Sequence, residues 1–212
     1  MLHFQKSQPS NLDDIAVLHR ACFTESLSRE LGTGYARKTL QWFLGDANRF
    51  LLHVENEGKI VGYVGGFISQ YAGDGSTSGM LRYAMREAVT GVAKKPWLIF
   101  NKQIRQMYPL IFKNIYRRIL PKTYIVNTEK KYADNEKKAG LVVIGVHPRF
   151  RGKGVFEVLM TAFEKESAER HIHKMGLSVK KDNLHAIHAY EKCGWQVNKE
   201  HAGSYEMYKE IS

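Results

Sequence analysis

Leu141-Val142-Val143-Ile144-Gly145-Val146-His147-Pro148-Arg149-Phe150-Arg151-Gly152-Lys153-Gly154-Val155 is the stretch that decides how this chain folds. Its first six residues form an unbroken apolar run, the pattern of a central strand covered on both faces. A Pro and a Gly-rich turn follow. From Val155 to about His173, Val155, Phe156, Leu159, Met160 and Phe163 fall on one side of a helix, with Glu157, Glu164, Lys165 and Glu169 on the other. A buried strand therefore runs through a tight turn into a helix. The first N–H groups of a helix lack intrahelical partners, and glycines let a bulky anion approach them, so the turn can seat a pyrophosphate. Arg149, Arg151 and Lys153 add positive charge. Taken alone, a short Gly-x-Gly is more often a plain strand-to-helix turn with solvated basic residues. Two other phosphate motifs fit poorly: Glu157 stands where a dinucleotide fingerprint needs its third Gly, and Gly154 where a phosphate loop needs Ser or Thr.

About thirty residues downstream lies Asn183-Leu184-His185-Ala186-Ile187-His188-Ala189-Tyr190-Glu191-Lys192-Cys193-Gly194-Trp195. Asn183, Ala186 and Tyr190 are three and four apart, so one helix face presents an amide, a small gap and a phenol in line, and an extended amide-bearing ligand fits such a face. On its own, Tyr190 is equally an ordinary boundary aromatic and Gly194 a helix C-cap.

Further outward the punctuation is that of an α/β domain. Leu2 to Gln5 reads as a strand, and Asp13 and Asp14 open a helix that carries Ile15, Leu18, Ala21 and Cys22 inward and is expected to stop near Gly32 and Gly34. A second helix spans about Arg37 to Leu44. Phe50 to Val54 and Ile60 to Ile68 flank Asn56-Glu57-Gly58, a hairpin signal. Beyond the central strand and helix, Leu177 to Val179 is a strand, Leu184 to Lys192 a helix, and Trp195 to Val197 and Tyr205 to Glu210 closing strands. With 212 residues, 43% hydrophobic and 25% charged, the chain suits one generous domain over 1–212 and excludes wholesale disorder. Its two cysteines, Cys22 and Cys193, cannot build a disulfide framework, and with no signal stretch after Met1 the expected compartment is the cytoplasm.

Residues 73–138 interrupt this order. Gly73 to Gly79 is a linker by composition, and between Ala88 and Thr128 no acid offsets Lys94, Lys95, Lys102, Arg105, Lys113, Arg117, Arg118 and Lys122, most of the net charge of +11. Trp97, Phe100, Ile104, Met107, Ile111, Ile115 and Ile119 recur at helical spacing, with Pro96 a helix opener and Pro109 a break. A helical basic insertion is expected. It reads as a lid over an acceptor site, as an element lying on an anionic membrane surface through residues 94–122, or as a partner-binding helix. Nucleic acid fits least, since no recognition module accompanies the charge, and no pattern specifies an oligomer.

Together, the two motifs resemble the GNAT superfamily of acetyl-CoA-dependent N-acetyltransferases. Its Gln/Arg-x-x-Gly-x-Gly/Ala motif is met by Arg149, Gly152 and Gly154, and its Asn-x-x-Ala-x-x-x-Tyr-x-x-x-Gly-aromatic motif by Asn183, Ala186, Tyr190, Gly194 and Trp195. The resemblance covers Leu141 to about Val197 strongly and Leu2 to Ile68 loosely, but not the insertion. It implies a mixed, mostly antiparallel central sheet flanked by helices, with the insertion between strands 3 and 4. It also implies that the Val146 strand splays from its parallel neighbour and pairs with pantetheine, with Gly145 a bulge position. N–H groups of Phe150, Arg151, Gly152, Lys153, Gly154 and Val155 would hold the pyrophosphate, and the Ile144 to Val146 backbone would face the thioester carbonyl as an oxyanion donor. Tyr190 matches the general acid for the departing thiolate, a roughly matched transfer at ordinary pKa values of about 10 and about 8.5.

The implied activity is transfer of acetyl from acetyl-CoA to an amine of a small molecule by direct attack. Protein N-terminal or lysine acetylation, and a non-catalytic CoA-binding or membrane-associated module, are the alternatives. A looser resemblance to bacterial acetyltransferases of surface-polysaccharide clusters implies an amino sugar or nucleotide-linked sugar as acceptor, and a location in the cytoplasm or peripheral to the inner face of the membrane. Glu25, Glu30, His53 and His147 are candidate bases, none nominated over a water chain. His171, His173, His185 and His188 lack zinc-ligand spacing, so no metal is expected.

Overall fold

In the computed structural model, residues 2–24, 27–69, 79–80, 83–100 and 137–211 are described. Seven strands, β1 (Leu2–Lys6), β2 (Arg49–Asn56), β3 (Lys59–Ser69), β4 (Lys138–Val146), β5 (Lys174–Lys180), β6 (Gln196–Glu200) and β7 (Ser204–Glu210), form one sheet in the order β1-β2-β3-β4-β5-β7-β6. Among the described residues only β4 and β5 run parallel; every other neighbouring pair is antiparallel. The helices are α1 (Leu12–Cys22), α2 (Leu27–Leu31), α3 (Thr33–Gln41), α4 (Met85–Lys94), α5 (Val155–Glu169) and α6 (Leu184–Lys192).

The alternation of apolar residues along β2 and β3 divides the core into two layers. Leu12, Ile15, Leu18, Ala36 and Leu40 of α1 and α3 pack with Leu51 and Tyr63 on one face. Phe50, Leu52, Val54, Val61 and Val64 meet Leu159, Met160 and Phe163 of α5, and Ile187, Tyr190 and Trp195, on the other. Burial of such side chains stabilises the fold by roughly 1.5–3 kcal/mol each. On that second face the buried Glu166 of α5 binds Lys6 of β1 and Arg170, both at 2.7 Å. That carboxylate needs both cations, because a buried charge without a partner is costly. At the β2–β3 turn Glu57 and Gly58 take φ of 52° and 70°, the pair of positive values that suits a two-residue hairpin.

Two expectations change. The first helix does not reach Gly32: α1 ends at Cys22, whose C-cap Phe23 leaves helical geometry (φ −116°, ψ 72°), and α2 follows as a separate turn. The bulge in β4 falls at Val142, because Gly65 opposes Val143 while Gly66 opposes Leu141; Gly145 sits in register with Tyr63. Within the insertion, the described part holds α4 and a short 3-10 helix, Pro96–Phe100, with Ala84 and Ala88 packed against Leu31 of α2 and Tyr35 of α3. The stripe from Ile104 to Ile119 lies outside the described residues.

Candidate active site

β4 pairs with β5 only from Lys138 to Leu141, opposite Lys174 to Leu177. Beyond that point β5 continues to pair with β7 through Lys180, while β4 continues with β3 through Val146. The two parallel strands diverge and leave a wedge. His147 N–H donates to Val61 O at 2.9 Å, which marks Gly62 and Val146 as a non-hydrogen-bonded pair. By the alternation of an antiparallel ladder, Gly145 and Tyr63 exchange both bonds, and the N–H and C=O of Ile144 and Val146 point away from β3 into the wedge. Such backbone groups require partners.

The wedge opens into a cleft of ≈ 510 Å³. Ile144, Gly145 and Val146 form its floor, Asn183, Ala186 and Tyr190 of α6 one wall, Cys22 and Phe23 at the end of α1 the opposite wall, and Arg151 and Gly152 one end. Gly145 is required here: a Cβ would stand 2.6 Å from the Tyr63 ring and 3.2 Å from Cys22 Sγ.

The turn before α5 behaves as an anion cradle, with a narrower set of donors than the motif suggests. Phe150 N–H already donates to His147 O (2.8 Å) and Arg151 N–H to Pro148 O (3.4 Å). The amides of Gly152, Lys153 and Gly154 have no backbone acceptor among the described residues, and those of Val155 and Phe156 open the helix unpaired. Gly152 and Gly154 adopt φ of 70° and 79°, which turns the chain so that these donors precede the helix axis. The side chains divide: Arg151 faces the main cleft, while Arg149, Phe150 and Lys153 line a second cleft behind the loop.

Tyr190 is 5% exposed, wedged between Phe156 and Trp195 with ring centroids 5.5 and 6.0 Å away. Its hydroxyl has no hydrogen-bond partner among the described residues, and burial pushes its pKa well above the ordinary phenol value. The matched transfer expected from an unperturbed phenol is therefore replaced by a weaker acid, suited to donating a hydrogen bond. Asn183 is the N-cap of α6, its Oδ1 accepting from Ala186 N–H at 3.3 Å, so it borders the cleft as a cap and not as part of the helical face.

On the α1 side, sequence reasoning missed a buried pair. Tyr63, fully buried, hydrogen-bonds its hydroxyl to His19 Nδ1, directly beneath Gly145 and Cys22. Desolvation lowers the His19 pKa to about 4 and raises that of Cys22 to about 11, with Arg151 opposing the latter, so both are neutral near pH 7. The available signal was weak: His19 and Tyr63 sit at inward positions of an amphipathic helix and a strand. Of the candidate bases, His53 is buried on β2 between Ser7 and Glu55, away from the cleft. His147 lines the second cleft, Glu30 lies on α2 with its carbonyl accepting from Lys95, and Glu25 lies outside the described residues. Among the described residues no three His, Cys, Asp or Glu gather as metal ligands.

A splayed parallel pair thus stands beside a glycine-lined turn with unpaired amides, at the mouth of one cleft. Residues 123–195 match the family model described as the acetyltransferase (GNAT) family. The fold agrees over the whole length. The PaiA N-acetyltransferase of Thermoplasma acidophilum, solved with coenzyme A, superposes with a TM-score of 0.60 at 13% identity, covering 100% of this chain and 99% of that one. Arabidopsis thaliana NAA60 with acetyl-CoA gives 0.58 at 14% identity, covering 100% and 99%. The ribosomal-protein-S18-alanine N-acetyltransferase of Escherichia coli gives 0.56 at 11% identity, covering 100% and 95%.

Proposed function

We propose that this chain transfers an acetyl group from acetyl-CoA to the amine of a small molecule within a ternary complex. The observation that carries the reading is the unpaired half of β4, whose Ile144 and Val146 backbone groups face a cleft of ≈ 510 Å³. When bound, acetyl-CoA supplies an activated thioester. The amides from Gly152 to Phe156 hold its pyrophosphate, and Arg151 adds charge at that end of the cleft. An N–H of Ile144 or Val146 stabilises the negative charge that develops on the acyl oxygen as the amine nitrogen bonds to the carbonyl carbon and the carbon–sulfur bond breaks. Tyr190, a neutral phenol across the physiological range, donates a hydrogen bond to the departing sulfur, which takes its proton from that phenol or from water; the ammonium proton leaves through solvent. Cys22, held protonated, is no nucleophile, which favours direct transfer over an acyl-cysteine.

α4 packs through Ala84 and Ala88 on α2 and α3, the helices that follow Cys22 and Phe23 of the cleft wall. An amino sugar or nucleotide-linked sugar agrees with the basic character of the insertion. Amine acceptors screened by free-thiol release test this: turnover with amino sugars or their nucleotide conjugates is expected, and turnover only with peptides moves the assignment to protein acetylation.

A second reading concerns location. Trp97 and Phe100, 64% and 81% exposed, stand beside Lys94 at the start of the basic segment, an aromatic and cationic combination suited to an anionic membrane surface. Flotation with anionic liposomes, lost when Arg117, Arg118 and Lys122 are neutralised, is the expected result; no flotation of the unaltered protein ends the idea.

A further inference from the structure

The loop between β4 and α5 has two sides. Its second side borders a cleft of ≈ 520 Å³ closed by the β2–β3 hairpin. The polar residues lining it are Asn56, Glu57, Lys59, His147, Arg149 and Lys153. The strand pairing of β3 with β4, completed by the bond from His147 N–H to Val61 O, separates it from the wedge.

The charges in this cleft are not neutralised by the fold. Several cations elsewhere are paired, Lys6 and Arg170 with Glu166, Arg37 with Asp13, Lys209 with Glu164, whereas others such as Lys180 and Lys199 stand singly on the surface among the described residues. Lys59, Arg149 and Lys153 make no ion pair or side-chain hydrogen bond among the described residues; Lys153 Nζ rests over the Phe150 ring at 5.3 Å. Three cations face one carboxylate, Glu57, across a concave space. Mutual repulsion of like charges falls when an anion enters, and a phosphate monoester supplies a dianion that several cations can share. Glu57 and the Asn56 amide then offer an acceptor and a donor to hydroxyl or amino groups on the same molecule.

We infer that this cleft is a binding site for a phosphate monoester, distinct from the pyrophosphate cradle on the other side of the same loop. The ligand meant is a free phosphorylated small molecule; the 3′-phosphate of coenzyme A would belong to the donor site instead. The inference goes beyond the proposed transferase reaction and stands whether or not acetyl-CoA is the donor.

Inorganic phosphate titrated into the full-length protein, followed by backbone amide resonances, tests it. Saturable shifts at residues 56–60 and 147–149 are expected, separate in affinity from any at the cradle amides 152–156, with binding at least roughly tenfold weaker in Lys59→Glu, a substitution at an exposed turn-flanking position. The titration is then repeated with saturating acetyl-CoA and with saturating dephospho-acetyl-CoA. Phosphate binding unaffected by either identifies a free metabolite as the ligand. Binding blocked by acetyl-CoA but not by dephospho-acetyl-CoA makes the cleft part of the coenzyme site and overturns the inference. Non-saturable shifts, or equal affinity in Lys59→Glu, overturn the inference. Failure of acetyl-CoA to bind at all would instead overturn the transferase reading and leave the phosphate titration intact.

Discussion

The two halves of β4 belong to one strand, yet their edges are placed differently. From Lys138 to Leu141 the strand is paired on both edges, to β3 and to β5. From Ile144 to Val146 it is paired on one edge only, and the other lines a cleft. Apolar composition fixes that a strand is buried. Which backbone groups remain available is decided by the partner, because β5 follows β7 away from β4 after Leu177. An open backbone edge is thus made by withholding a neighbour, with no polar side chain needed along the edge itself.

A matched pair of substitutions breaks this comparison most strongly. In Gly140→Val a side chain would overlap the Phe67 ring in the zipped half, and in Gly145→Val it would press on Tyr63 and Cys22 under the open half. Each is expected to cost about 1–3 kcal/mol of stability through overpacking. They should part on adding acetyl-CoA at about 100 times its Kd, which stabilises a competent site by about 2.7 kcal/mol. The Gly140 variant should retain that gain and the Gly145 variant lose it, as read by chemical denaturation. Equal responses would mean that the open half is not the binding edge.

The support beneath the open half makes an acid-sensitive contribution. An unfolded chain protonates His19 near pH 6.5, but the folded protein does so only near pH 4. The unfolded state therefore binds more protons between these values, so stability is full above pH 6.5, falls by about 3 kcal/mol as pH drops to 4, and then levels. His53, also lowered by burial, adds in the same direction. Denaturation measured against pH should show a shallower loss in His19→Gln than in the unaltered protein.

Tyr190→Phe sharpens the contrast between binding and chemistry. Removing one hydrogen bond to the leaving sulfur is expected to lower kcat about tenfold with little change in acetyl-CoA affinity. Since the phenol's pKa is raised, no inflection from Tyr190 should appear in the kcat profile below pH 10. Cys22→Ser gives the smallest effect, turnover within about threefold, because a thiol held up at about 11 is not the acyl acceptor. Loss of all turnover would restore the covalent route.

The contrast also explains what could be read from the sequence. The apolar run, the Gly-x-Gly turn and the amphipathic helix from Val155 specify their own local geometry, and the sheet with its flanking helices followed from them. The early end of α1 was not legible, since Phe23 to Gly32 contains no Pro or Gly before Gly32 to mark a stop. The bulge at Val142 was not legible either: a β-branched residue in an apolar run carries no bulge signal, whereas Gly145 does and proved to be a close-packing position. The division of Arg149 and Lys153 from Arg151 between two clefts depends on turn geometry that the residue types leave open. The His19–Tyr63 pair depends on two elements 44 residues apart meeting.

Amide hydrogen exchange along β4 tests the central claim most directly. The account predicts that acetyl-CoA slows exchange at Ile144 and Val146 while Ala139 to Leu141, already paired, are unchanged. Unaltered exchange at Ile144 and Val146 under saturating acetyl-CoA would contradict it.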